Sequence, residues 1–127
     1  MERILIVDDD AGVVKVLQMR LESEHYAVTA ASEAREAKKR LEEETFDIAL
    51  FDLRLAEGSG IELMKSIRDI DPELPVIILT AYGTIESAVE AMKEGAYSYL
   101  TKPFDYRELL VQIRNAIEKS SLSREVK

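Results

Sequence analysis

Apolar residues along this chain fall into five short runs that alternate with five longer stretches of helical period. The runs are Arg3–Val7, Tyr26–Ala31, Asp47–Phe51, Val76–Leu79 and Ser98–Thr101. They are almost continuously apolar, which predicts strands covered on both faces. The second, with Thr29 and Ala30, is the most polar and is expected at a sheet edge. The intervening stretches repeat apolar residues every three or four positions: Val14, Leu17, Leu21; Ala34, Ala37, Leu41; Gly60, Leu63, Met64, Ile67; Ile85, Ala88, Val89, Met92; and Leu109, Leu110, Ile113, Ile117. That spacing predicts five amphipathic helices, with Met64 and Met92 both on core faces. Ser32-Glu33 and Asp105 sit where helix starts need caps, and Asp71-Pro72 and Gly95 sit where helices must stop. Fivefold strand–helix alternation predicts an α/β, doubly wound parallel sheet with helices on both faces.

Composition narrows the chemistry. The 127 residues hold 17 Lys+Arg and 25 Asp+Glu, a net charge of −8, with 46% apolar and 33% charged residues. This is one globular domain, expected over residues 1–119, followed by a polar tail or linker start at 120–127. The absence of cysteine excludes disulfides, thiol catalysis and Cys-based metal sites. The single His25 excludes a multi-histidine metal site and is expected in a surface turn. The acidic balance disfavours direct nucleic-acid contact. No apolar stretch nears the ~18 residues of a membrane span, and the N-terminus lacks a secretory leader, so the expected location is cytoplasmic. The run Lys38–Arg40 followed by Glu42–Glu44 reads as a solvated helix face, and Tyr97 and Tyr106 read as packing residues.

Ligands of doubly wound sheets bind beyond the carboxyl ends of the strands. Past the first run come Asp8, Asp9 and Asp10; past the third, Asp52; at the end of the fourth, Thr80; past the fifth, Lys102 and Pro103. Asp10 alone reads as a helix cap. The others gather carboxylates, a hydroxyl and an ammonium on one rim. Two carboxylates about 4 Å apart repel by roughly 4 kcal/mol at an effective dielectric near 20, a large part of a small domain's stability. A hard cation such as Mg²⁺ removes that repulsion and binds phosphoryl oxygens as well. Asp52 then reads as a carboxylate nucleophile for a phosphoryl group, with Lys102 and Thr80 on the phosphoryl oxygens.

Four segments resemble the receiver domain of two-component response regulators, the CheY-like family: Ile4–Asp10, Asp47–Arg54, Pro75–Ala81 and Tyr99–Phe104. The resemblance spans about residues 2–119. It implies a (βα)5 fold of flavodoxin-like strand order 2-1-3-4-5. It implies that Asp52 is the phosphoacceptor. Mg²⁺ would be held by Asp9, Asp52 and the backbone carbonyl of Arg54, and by Asp8 through a water. Lys102 would contact the phosphoryl group, Thr80 would move towards it, and Tyr99 would turn inward as Thr80 moves. The Lys102–Pro103 bond is expected to be cis. One segment departs from the family: Ala56 stands where a proline is usual, and Gly58 and Gly60 flank Ser59, which suggests a looser loop. Arg54 and Tyr82 occupy positions that tune acyl-phosphate lifetime in the family.

The stretches Thr80–Val89 and Lys102–Asp105 look most like receivers of NtrC-type transcriptional activators. The resemblance implies a switch rather than an enzyme, with only self-phosphorylation and autodephosphorylation chemistry. A sensor histidine kinase would supply the phosphoryl group, docking near the first helix. The face made by the fourth helix, fifth strand and fifth helix would control ATPase and DNA-binding output domains, and a receiver homodimer is compatible with it. A haloacid-dehalogenase-type phosphohydrolase needs an acid two residues after the nucleophile, where this chain has Arg54. A flavin module on this fold needs a Ser/Thr/Gly-rich phosphate loop where this chain has Asp8–Asp10. A degenerate receiver, serving only for interaction, would lack the five site residues present here.

Overall fold

The computed structural model describes residues 1–126, with side chains described through Leu122. The chain runs β1 (Arg3–Val7), α1 (Ala11–Ser23), β2 (Ala27–Ala31), α2 (Ala34–Glu43), β3 (Ile48–Asp52), β4 (Arg54–Leu55), β5 (Gly58–Ser59), α3 (Gly60–Ile67), β6 (Val76–Thr80), α4 (Ile85–Lys93), β7 (Ser98–Thr101) and α5 (Tyr106–Val126). Five strands form a parallel sheet in the order β2-β1-β3-β6-β7. Once the small β4–β5 hairpin is set apart, this is the expected 2-1-3-4-5 order. The polar second strand is an edge, as its composition predicts.

Strand residues alternate between two cores, one on each sheet face. Leu5, Val7, Ala49, Phe51, Val76 and Ile78 pack towards α2, α3 and α4. Ile4, Ile6, Ile48, Leu50, Ile77 and Leu79 pack towards α1 and α5 through Leu17, Leu21, Leu109 and Ile113. Both faces are therefore apolar, which is why the strands read as unbroken apolar runs rather than alternating ones.

The helix ends follow their capping residues. Asp10 caps α1, its carboxylate accepting from the backbone N–H of Gly12 and Val13 at 3.0 and 3.2 Å. Asp105 accepts from Arg107 N–H at 2.8 Å through its side chain and from Leu109 N–H at 3.1 Å through its carbonyl. Gly95 closes α4 with φ +99°, and His25 occupies the exposed turn after α1 with φ +71°. Helix α5 passes Lys119 without a break and continues through Val126.

Helix α4 differs from the sequence expectation. Its predicted core stripe is exposed: Ile85 at 85%, Val89 at 60% and Met92 at 48%. The buried side is instead Ala91, with Ala88 and Ser87 half-buried. The buried face is thus turned by about one residue's rotation, ~100°, from the apolar stripe. The helix lies on the edge strand β7, where small side chains allow close approach and the large ones face out. Met64 in α3 is fully buried, as predicted.

The two methionines should therefore behave oppositely. Met64→Ala is expected to cost about 2–5 kcal/mol in urea unfolding, as a core truncation does. Met92→Gln should change stability by less than about 0.5 kcal/mol, as surface changes do.

Candidate functional site

Register brings the acidic residues together. Val7 of β1 pairs with Phe51 of β3, so Asp8 and Asp52, one residue further along each strand, stand side by side. Asp52 pairs with Leu79, so Thr80 lies one step beyond on the next strand, and Thr80 in turn pairs with Thr101, the neighbour of Lys102. Carboxylate oxygens of Asp8, Asp9 and Asp52 all lie within 4.8 Å of one another. Asp8 is buried, Asp9 exposed and Asp52 half-buried, so the cluster opens towards solvent on the Asp9 side.

The Lys102 ammonium is the counter-charge. Its Nζ lies 2.9 Å from Asp8 Oδ2 and 3.8 Å from Asp52 Oδ2. Asp8 Oδ1 also accepts from Asp10 N–H at 2.9 Å, and Asp52 Oδ1 from Arg54 N–H at 3.4 Å. Burial and then the neighbouring Asp8 carboxylate push the Asp52 carboxyl above the usual carboxylate range, against the pull of Lys102 and the Arg54 N–H. One ammonium between two carboxylates leaves the pocket net negative, and the third acid adds to it. Three carboxylates at this spacing suit an oxygen-ligated hard cation.

Surrounding segments fix these groups. Thr80 is fully buried, and its hydroxyl accepts from Tyr82 N–H at 2.9 Å. The Lys102–Pro103 peptide bond is cis. The segment after Asp52 closes as the β4–β5 hairpin, with Gly58 at φ +126°. It is regular where the missing proline and the glycines suggested a looser loop. Gly60 seals it against the acceptor strand: its N–H donates to Leu53 O at 2.9 Å, and a Cβ there would stand 2.3 Å from the Asp52 carbonyl oxygen. Arg54 stacks on the Tyr82 ring at 4.3 Å, joining the segments that follow Asp52 and Thr80. Tyr99, half-buried on β7, meets Ser87 of α4, its hydroxyl 2.6 Å from Ser87 Oγ. Sequence reasoning did not single out Ser87. The Thr84-x-x-Ser87 spacing at a helix start was a readable capping signal, but the contact with Tyr99 is tertiary.

Comparisons with known proteins identify the family. Residues 4–114 match the response regulator receiver domain family. The chain belongs to that family. It is 41% identical over 120 residues, 94% of the chain, to the transcriptional regulatory protein ZraR of Klebsiella oxytoca. It spans about a quarter of that relative's length, 27%. Its fold is similar to that of a CheY-like receiver domain protein from Methanospirillum hungatei JF-1, with a TM-score of 0.92, 34% identity, and coverage of 97% of this chain and 98% of that one. The beryllofluoride-activated NtrC4 receiver domain dimer aligns with a TM-score of 0.90 at 35% identity, covering 94% of this chain and 99% of that one. This chain is thus a receiver domain of two-component response regulators, similar to those of transcriptional regulators. No helix among the described residues is long and apolar enough to cross a membrane.

Two substitutions probe the rim. Because the native carboxyl of Asp52 holds its proton more tightly than an unfolded one, its ionised form weakens the fold above the usual carboxylate range. In EDTA at neutral pH, Asp52→Asn should raise stability by on the order of 1 kcal/mol by removing one of three close like charges. The gain should vanish as pH falls below that range, where wild-type Asp52 is protonated in both states; denaturant melts across pH check both. Gly60→Ala should cost about 1–3 kcal/mol in the same assay, the typical penalty of overpacking.

Proposed function

We propose that Asp52 accepts a phosphoryl group and that this domain is a phosphorylation-dependent switch. The observation that carries the reading is the Asp8–Asp9–Asp52 cluster with Lys102 between two of its carboxylates. A carboxylate oxygen of Asp52 attacks phosphorus in line, an O–P bond forms, and the bond from phosphorus to the donor's imidazole nitrogen breaks. The donor is a phosphohistidine of a sensor histidine kinase. This is self-phosphorylation and later autodephosphorylation by water, not turnover of a separate substrate.

The residues fit a bound Mg²⁺: Asp9 and Asp52 would hold it directly, Asp8 through a water, and Arg54 by its backbone carbonyl. When bound, the ion supplies positive charge to the phosphoryl oxygens. Lys102 neutralises a further oxygen by turning from Asp8 towards the new group, and Thr80 exchanges its bond to Tyr82 N–H for one to the phosphoryl oxygen. Tyr99 follows Thr80 inward. The change reaches the face made by α4, β7 and α5, where Ile85, Val89 and Met92 present apolar side chains to solvent. That face meets an output module, or a second receiver in a homodimer; the beryllofluoride-activated NtrC4 receiver domain is itself a dimer. In the full-length protein the output is an ATPase and a DNA-binding domain that regulate transcription. The receiver itself, acidic overall, does not touch nucleic acid.

Intact-mass measurement after incubation with a small phosphodonor, with and without Mg²⁺, tests the acceptor. One phosphoryl group should be gained only with Mg²⁺ and lost in Asp52→Asn. Gain in Asp52→Asn equal to wild type, or no gain in the folded wild type, rejects the reading. Lys102→Ala should keep the Mg²⁺ dependence and slow the gain by roughly 10²-fold, the usual effect of deleting one charge-stabilising donor.

A further inference from the structure

We infer that Ser87 is a positioning residue of the switch: its hydroxyl holds that of Tyr99 and so pins the first turn of α4 in the resting arrangement. The inference rests on the reading of Thr80 and Tyr99 as switch residues.

The hydrogen bonds around Ser87 assign its lone pairs. Thr84 and Ser87 form a reciprocal capping box: Ser87 N–H donates to Thr84 Oγ1 at 3.0 Å, and Thr84 N–H donates to Ser87 Oγ at 3.0 Å. Ser87 gives its single hydroxyl hydrogen to Thr84 O, also at 3.0 Å. One lone pair remains, and the Tyr99 hydroxyl stands 2.6 Å from Ser87 Oγ, where either group can donate; with the Ser87 hydrogen on Thr84 O, Tyr99 is the donor. The Thr84 hydroxyl, 3.1 Å away, is the competitor for it. One side chain thus closes the helix cap and ties it to β7.

The contact also lies on the route from Thr80. The Thr80 hydroxyl holds Tyr82 N–H, and the next residue, Gly83, rests on the tip of the Tyr99 ring. A Cβ at Gly83 would stand 2.9 Å from the Tyr99 hydroxyl and 2.8 Å from Thr101 Cγ2. Withdrawal of the Thr80 hydroxyl releases the loop that presses on Tyr99. Helix α4 buries only Ala91 fully and turns its three large apolar residues outward. A single hydrogen bond is therefore a large share of what fixes its first turn.

The test compares α4 amide hydrogen exchange and Tyr99 ring resonances by NMR, without a phosphoryl mimic. Thr84→Ala removes the cap bond that Ser87 N–H makes to Thr84 Oγ1 but keeps the Tyr99 contact; Ser87→Ala keeps that cap bond and removes those of the Ser87 hydroxyl, the Tyr99 contact among them. Exchange over residues 85–93 should be roughly three- to tenfold faster in Tyr99→Phe than in wild type, the effect of one net hydrogen bond, and at least as fast in Ser87→Ala. Only Ser87→Ala should shift the Tyr99 ring signals, and Ser87→Thr should restore both readouts. If Ser87→Ala fails to fold, Tyr99→Phe, which deletes the hydroxyl alone, carries the exchange test by itself. Exchange in Tyr99→Phe equal to wild type, or Tyr99 ring signals unmoved in Ser87→Ala, overturns the latch. Wild type with Mg²⁺ and beryllofluoride is the separate arm: no response at α4 overturns the switch reading and the role of Ser87 within it, whereas a response there leaves the latch to the variants.

Discussion

Like charges held side by side at the end of a parallel sheet are the constraint on which this molecule turns. Parallel pairing of β1 with β3 sets Asp8 beside Asp52, at the ends of two strands buried on both faces. Repulsion at such spacing is worth roughly 4 kcal/mol at an effective dielectric near 20, against a total domain stability of about 5–15 kcal/mol. The resting fold meets it with Lys102, which reaches Asp8 more closely than Asp52. A divalent cation would balance the negative charge that remains. The same backbone pairing that makes the sheet thus gathers the negative charge of the site.

Rigidity is distributed unevenly around that centre. The three central strands bury every residue but Arg3 and Asp52, and α3 has five buried residues. Helix α4 contributes one. A charge change at the rim can be absorbed where the fewest contacts must break, which is α4 and the loop leading into it. The stack of Arg54 on Tyr82 and the meeting of Tyr99 with Ser87 both lie along this softer side.

The site was legible in the chain because its members follow strand ends. An apolar run long enough for a strand, followed at once by an acid, a hydroxyl or a lysine, places that residue on the sheet's carboxyl rim whatever the strand order. Asp8, Asp9, Asp52, Thr80 and Lys102 were all readable in this way. The hairpin after Asp52 was not, because its four strand residues are too few to produce a pattern, and glycine marks a bend without saying how it closes. The core face of α4 was misread for a different reason. Periodicity reports that a helix has two unlike sides, but the side a helix buries depends on what it lies against. Ile85, Val89 and Met92 formed the more apolar stripe, yet the edge strand accepts only the small Ala88 and Ala91 at close range.

The sequence by itself determined the alternation of strands and helices, the two-sided burial of the sheet and the residues at its chemical rim. Each follows from the order of side chains along one element and needs no knowledge of its neighbours. Tertiary structure alone decided how near the carboxylates stand, which of them Lys102 favours, that Gly60 must be bare beneath Asp52, and that Tyr99 reaches Ser87. These are distances between atoms far apart in the chain, and they are set by strand register and packing across elements.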